Sequence, residues 1–273
     1  MSLSRFGQNP KTPNGVSTLY STVGETPLLT SPLTLTLRHL IYKQTCESVS
    51  TNPSHLEATV EFADNPEPRC PCVLLLDTSW SMKGEPIDAL NQGLAVFKED
   101  VCKDALASRR VEVAIVSFDA EVNVVQDFVT ADQFHPPTLT AQGTTHMGSG
   151  ILTALDMLAA RKTQYKTAGV LYYRPWVFMI TDGEPQGEAE DVVRHATQRL
   201  REDEDHKRVA FFAVGVENAN MKRLGEIVVR APVKLLGLNF VEMFVWLSRS
   251  AQAVTHSRPD EQVALPPPGW GTV

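Results

Sequence analysis

The chain alternates between short, wholly apolar runs and longer segments with apolar residues every three or four positions. Val73-Leu74-Leu75-Leu76 is apolar throughout, the mark of a strand buried on both faces. Pro86 suits the first turn of a helix, and Ile87, Leu90, Leu94, Phe97 and Val101 then fall on one helical face. Val111 to Phe118 reads as the next strand, and Val122 to Phe128 turns back beside it as an edge hairpin. Ile151, Leu152, Leu155 and Leu158 predict a second helix, and Trp176 to Ile180 a third buried strand. The rhythm continues with a helix through Val192, Val193, Ala196 and Leu200, a strand over Val209 to Val216 and a short helix over Met221 to Val229. Val233 to Leu236 predicts a short last strand, and Phe240, Met243, Phe244 and Leu247 a final helix. Such alternation predicts an α/β fold. Its sheet is doubly wound and mainly parallel, with helices on both faces and one antiparallel edge strand.

The ends of the chain follow a different pattern. Residues 1–55 are rich in Ser, Thr, Pro and Gly, and they read as an extension with little core of its own. Leu33 to Leu37 alternates apolar and polar as a strand does, and so does Leu56 to Phe62, before the breaker cluster Asn65-Pro66-Glu67-Pro68. The main domain is expected over residues 56–252. A Pro-rich tail, 253–273, follows it, in which Trp270 either packs on the domain or serves as a peptide ligand.

Composition narrows the class. The 273 residues are 42% hydrophobic and 21% charged, an ordinary globular balance. A net charge of −7 with no Lys/Arg-rich block argues against nucleic acid as a partner. No apolar stretch approaches the ~18 residues of a membrane span, and no apolar segment follows Met1 as a secretory signal would. The four cysteines, Cys46, Cys70, Cys72 and Cys102, are too few for a disulfide scaffold and read as reduced thiols. Cys70-Pro71-Cys72 has one intervening residue where redox and zinc motifs have two, and no second pair exists.

The candidate chemistry lies just past the first apolar strand, in Asp77-Thr78-Ser79-Trp80-Ser81. Asp77, Ser79 and Ser81 stand at alternate positions and converge if the loop curls around one point. In an open α/β sheet, ligands bind beyond the carboxyl ends of the strands at the switch in strand order. Asp182 follows another apolar strand and so comes to the same edge. The loop Gln142-Gly143-Thr144-Thr145-His146-Met147-Gly148 precedes a helix and can add a hydroxyl. Two carboxylates and several hydroxyls suit a hard cation such as Mg²⁺, or Mn²⁺ or Ca²⁺, with a position left open for water or a partner's acid.

This set resembles the von Willebrand factor type A domain and its metal-ion-dependent adhesion site. The family pattern is D-x-S-x-S, then Thr on a second loop, then Asp on a third. Here the resemblance assigns Asp77, Ser79, Ser81, Thr145 and Asp182 as metal ligands. Trp80, Thr144, His146, Gly183 and Glu184 then fall where a partner would touch. Met82-Lys83-Gly84-Glu85-Pro86-Ile87 and Thr181-Asp182-Gly183-Glu184-Pro185 look like the bacterial TerY/YegL group. That likeness implies a cytoplasmic adaptor that engages a protein partner through the metal, beside a kinase and a phosphatase in stress or tellurite resistance. Regulation of an AAA+ ATPase is the alternative. Relatives usually have Gly where Trp80 stands. The ring either packs locally or forms part of the partner contact.

Enzyme readings fare worse. No G-x-S-x-G elbow surrounds Ser79 or Ser81, and of the seven histidines only His146 is placed near them. A haloacid-dehalogenase-type phosphotransferase would have a second Asp where Ser79 stands. The P-loop G-x-x-x-x-G-K-[ST] is absent. No catalytic residue is assigned. Asp119 and Glu121 read as a turn, Arg199 to Arg208 as a solvated helix end, and Gly148 and Gly150 as relief of crowding at a helix start.

Overall fold

The computed structural model describes residues 62–259 and 261–272. The strand expected at Leu33 to Leu37, the 1–55 extension and Cys46 lie outside them. So does most of Leu56 to Phe62, and its last residue, Phe62, opens a helical turn instead of ending a strand. Phe62 is buried against Tyr165, with ring centroids 5.5 Å apart.

Seven strands and six helices follow. The strands are β1 (Cys70–Asp77), β2 (Val111–Phe118), β3 (Val122–Thr130), β4 (Trp176–Thr181), β5 (Ala210–Gly215), β6 (Val233–Leu235) and β7 (Gly271–Thr272). The helices are α1 (Glu85–Val101), α2 (Ala105–Arg110), α3 (Met147–Ala168), α4 (Glu190–Asp205), α5 (Met221–Ile227) and α6 (Phe240–Thr255). One sheet holds the strands in the order β3-β2-β1-β4-β5-β6-β7. The strands from β2 to β6 run parallel, and β3 and β7 pair antiparallel at the two edges. The sequence predicted one antiparallel edge; the second is made by the tail. The boundary expected at residue 252 falls inside α6.

Alternation along β1 separates two cores. Cys70, Cys72, Leu74 and Leu76 face α1 and α6, while Val73 and Leu75 face α3 and α4. Every residue of β1 and β2 is buried, which is why their central stretches, Val73 to Leu76 and Val113 to Val116, read as continuous apolar runs. Both thiols of Cys70 and Cys72 therefore pack in the core on one sheet face, and burial pushes the Cys70 thiol up to about 12. Trp270 joins that same face, with its ring centroid 5.6 Å from Trp246 and 6.4 Å from Phe178. Of the two roles considered for it, packing on the domain is the one observed. At the end where the strands begin, Glu112 is buried among Arg69, Arg161 and Tyr165, accepting from Arg69 Nε at 2.9 Å and Arg161 Nε at 2.8 Å.

Strand order reverses between β1 and β4. The chain leaves β1 toward β2 and β3, then crosses to β4 on β1's other side. The register pairs Leu76 with Ile180, so Asp77 and Thr181 end their strands level with each other. That crevice is the switch point of the sheet.

Candidate metal centre

Asp77 closes β1 and is fully buried. One carboxylate oxygen accepts the Ser79 N–H at 2.8 Å, and the other accepts the Thr181 hydroxyl at 2.6 Å. These bonds curl the chain immediately into a tight 3-10 turn, Trp80–Met82. The turn brings the Ser79 and Ser81 hydroxyls within 3.0 Å of each other. Ser81 then donates to Asp182 Oδ1 at 2.8 Å, which closes a chain of oxygens from β1 to the end of β4.

The second loop is clamped to the third, which follows β4. Thr145 exchanges backbone hydrogen bonds with Gln186, at 3.1 and 2.9 Å, and its side chain is buried. Gly183 marks the convergence: a Cβ there would lie 3.5 Å from Thr145 Oγ1 and 3.9 Å from Asp77 Oδ2. Asp77, Ser79, Ser81, Thr145 and Asp182 thus lie close together at the ends of three loops. Among the described residues no group of three or more His, Cys, Asp or Glu could hold a metal. The donor set therefore depends on its hydroxyls. Two carboxylates and three hydroxyls, with no thiolate or imidazole, match a hard, oxygen-seeking cation.

Electrostatics point the same way. Burial lifts the Asp77 carboxyl from 3.8 to about 6, and the charge of Asp182 adds to this, although hydrogen bonds from Ser79 and Thr181 oppose it. Asp182 is also raised, by burial first and by Glu217, against its bond from Ser81. Among the described residues neither acid meets a cation in a hydrogen bond or ion pair.

A cavity of about 340 Å³ opens over this point. Trp80, Thr144, Gly183 and Glu184 line it. His146 does not. Its ring lies against the backbone of Gly187, and its own N–H bonds Asp119 O at 2.8 Å at the start of α3. Trp80 is 60% exposed, and the Lys83 ammonium sits 4.0 Å from its ring centroid. Locally the Trp80 ring packs against Lys83 through this cation–π contact.

Several supporting residues lay beyond sequence reasoning. Thr181 holds Asp77. Asp119 accepts from the Thr78 hydroxyl at 3.0 Å and from Glu121 N at 3.0 Å, which ties the metal loop to the end of β2. Glu188 caps α3, accepting from Gly148 N at 2.6 Å and from Ser149 N at 3.1 Å. Asn218 and Asn220 complete the cavity wall, with Asn220 Nδ2 donating to Glu184 at 2.5 Å. Asn220 directly before α5 is a readable cap, its side chain accepting from Arg223 N at 3.0 Å, whereas Glu188 reaches α3 from a distant part of the chain and carried no such signal.

The fold recurs in solved structures. A von Willebrand factor type A protein from Catenulispora acidiphila matches with a TM-score of 0.54 at 16% identity, over 68% of this chain and 43% of that one. The pilus adhesin SpaC from Lactobacillus rhamnosus GG gives 0.53 at 14% identity, over 70% and 31%. A D319A mutant of the PilB minor pilin from Streptococcus sanguinis gives 0.52 at 12% identity, over 70% and 63%. This chain thus spans less than two thirds of the length of each, and at these identities the likeness is one of fold. No curated protein matches the sequence. The sequence profile of the von Willebrand factor type A domain matches residues 72–235, more than half of the chain, and this chain belongs to that family.

Proposed function

We propose that this chain is a metal-dependent protein-binding module. The von Willebrand factor type A domain is a protein-interaction module in general. The metal dependence is the reading that the oxygen geometry supports. The observation that carries it is the run of oxygens from Ser79 to Ser81 to Asp182, at 3.0 and 2.8 Å, converging with buried Asp77 and Thr145. These five residues would hold Mg²⁺, or Mn²⁺ or Ca²⁺. When bound, the cation supplies a Lewis-acidic position for an acidic group of the partner. Asp77 and Asp182 fix its place from two strands, Thr181 and Asp119 keep the loops rigid, and Trp80, Thr144, Gly183 and Glu184 shape the partner's approach. Ser81 is engaged by the Asp182 carboxylate and Ser79 by Ser81, and no histidine meets either hydroxyl among the described residues, so binding without turnover is the function proposed.

The motif likeness to the TerY/YegL group supports a cytoplasmic adaptor in a bacterial stress or tellurite-resistance system, with a kinase or phosphatase as partner. An AAA+ ATPase is the alternative partner. Among the described residues, no helix is long and apolar enough to cross a membrane.

The test is a Mn²⁺ titration followed by electron paramagnetic resonance, together with thermal melting in EDTA and in Mg²⁺. The parent should bind one ion and melt higher with metal, and Asp77→Ala and Ser81→Ala should do neither. Capture of a kinase, phosphatase or AAA+ partner should then be lost in EDTA and restored by Mg²⁺. A parent protein that binds no divalent ion at millimolar concentration would end this reading.

A further inference from the structure

At the opposite edge, where the parallel strands begin, lies a cleft of about 1010 Å³. Lys162 and Lys166 reach it from the last turns of α3, Arg174 from the approach to β4, Lys207 and Arg208 from the α4–β5 turn, and Arg230 from beyond α5. Among the described residues Glu261 is the one acid in the lining, while Glu204 and Asp203 beside it answer Arg174, Arg230 and Arg208. Lys162, Lys166 and Lys207 have no ion pair among the described residues, so on a chain whose net charge is −7 the cleft keeps a local excess of positive charge.

The segment Arg199 to Arg208, read from sequence as a solvated helix end, is organised more closely than that. Glu204 is buried and takes both Arg174, at 2.6 Å, and Arg230, at 3.0 Å, so one carboxylate answers two guanidinium groups. Arg208 meets Asp203 at 3.2 Å and remains half exposed. Lys162 donates to a backbone carbonyl, Arg208 O, at 3.2 Å. The ammonium groups of Lys166 and Lys207 make no hydrogen bond or ion pair among the described residues. Burial holds the Lys162 ammonium below its ordinary pKa. Lys166, Arg208 and Arg199 add to this and Asp203 opposes it.

Lys207 has φ 55, in the left-handed region. It terminates α4, with its N–H on Glu204 O at 2.9 Å and the Arg208 N–H on Asp203 O at 2.7 Å. Glycine is the usual residue at this position of a helix end, because a Cβ is strained there. Stability alone would place glycine here, and the chain instead carries a cation aimed into the cleft's lining.

We propose that this cleft binds a small ligand bearing a di- or triphosphate. Lys166, Lys207 and Arg208 make the direct contacts, and Lys162 with the Arg174–Glu204–Arg230 group adds to the attracting field. Several separated cations are matched by a multiply charged group, whereas one carboxylate would neutralise only one of them. Half-buried Tyr172 in the same lining offers a ring face to a nucleoside base.

Isothermal titration of the full chain in EDTA, which silences the metal centre, tests this site by itself. Tripolyphosphate and ATP should bind at least about tenfold more tightly than inorganic phosphate. Tighter binding of ATP than of tripolyphosphate would identify a nucleotide as the source, and equal binding an inorganic polyphosphate. The Lys166→Glu/Lys207→Glu pair should weaken binding by more than about tenfold, and the exposed control Lys222→Glu on α5 by less than about twofold. Lys207→Gly should melt higher than the parent while binding about threefold more weakly. The proposal is overturned if the folded parent binds no tripolyphosphate at about 1 mM, or if Lys222→Glu costs as much as the pair.

Discussion

Asp77→Asn should stabilise the metal-free protein and abolish its response to metal. Asp77 is fully buried, and burial lifts its carboxyl from 3.8 to about 6. A shift of about two units corresponds to about 3 kcal/mol, borne by the folded state when Asp77 is ionised. The sign follows from proton uptake. Between about pH 4 and 6 the folded state binds more protons than the unfolded one, so this contribution to stability falls as pH rises through that window. Above pH 6 the full cost applies. Asparagine is neutral at every pH, but its amide group gives the Ser79 N–H and the Thr181 hydroxyl one good acceptor where the carboxylate gives two, a loss of about 1 kcal/mol. In EDTA at pH 7.5 the variant should therefore be about 1–2 kcal/mol more stable than the parent in urea unfolding. The advantage should vanish by about pH 4–5. Mg²⁺ at a hundred times its Kd should raise the parent by about 2.7 kcal/mol and the variant not at all, which reverses the order. Asp77→Asn less stable than the parent in EDTA at pH 7.5, or equally stabilised by Mg²⁺, would refute the reasoning.

Three further outcomes are expected. Gly148→Ala puts a Cβ 2.9 Å from Val193 Cα, where α3 meets α4, and should cost about 1–3 kcal/mol in thermal melting. Trp270→Ala should cost about 3 kcal/mol in urea unfolding; Trp270→Phe should cost under about 1.5 kcal/mol, since the indole N–H has no partner to lose among the described residues. Asp104 caps α2 through Leu106 N and Ala107 N, so Asp104→Ala should cost about 1 kcal/mol at pH 7. Those bonds lower the Asp104 pKa, so stability it supplies above pH 3.8 is lost as pH falls through the lower folded value, and parent and variant curves should converge in acid.

What the sequence disclosed depended on how local the cause was. β1 and β2 were legible because both faces are buried and each holds an apolar run, Val73 to Leu76 and Val113 to Val116. The shared edge of Asp77 and Asp182 was legible because each follows an apolar strand, and β1 and β4 are neighbours in the sheet; Thr145 came from the family resemblance alone. The helix α2 escaped notice at six residues, although Asp104 before it is a readable cap. β7 had no pattern to read: Gly271 and Thr272 form a strand only because Lys234 and Leu235 offer them an edge. The basic cleft was hidden for the same reason, since its residues come from α3, the β4 approach, the α4–β5 turn and the segment after α5. Glu204 looked solvated among its charged neighbours, and only the fold shows that it is buried beneath two arginines.

The short pairing of β7 with β6 also bears on how the borders of this sheet are covered. Parallel sheets end in rows of unpaired N–H and C=O groups, which invite a strand from another molecule. Here one border is taken by two tail residues locked in place by Trp270, and the other by β3, whose register against β2 is broken by shifts between Val113 and Val116. Clipping the chain just before Trp270 would strip the first border of its cover, so a truncation meant to remove a dispensable tail would create a self-associating sheet.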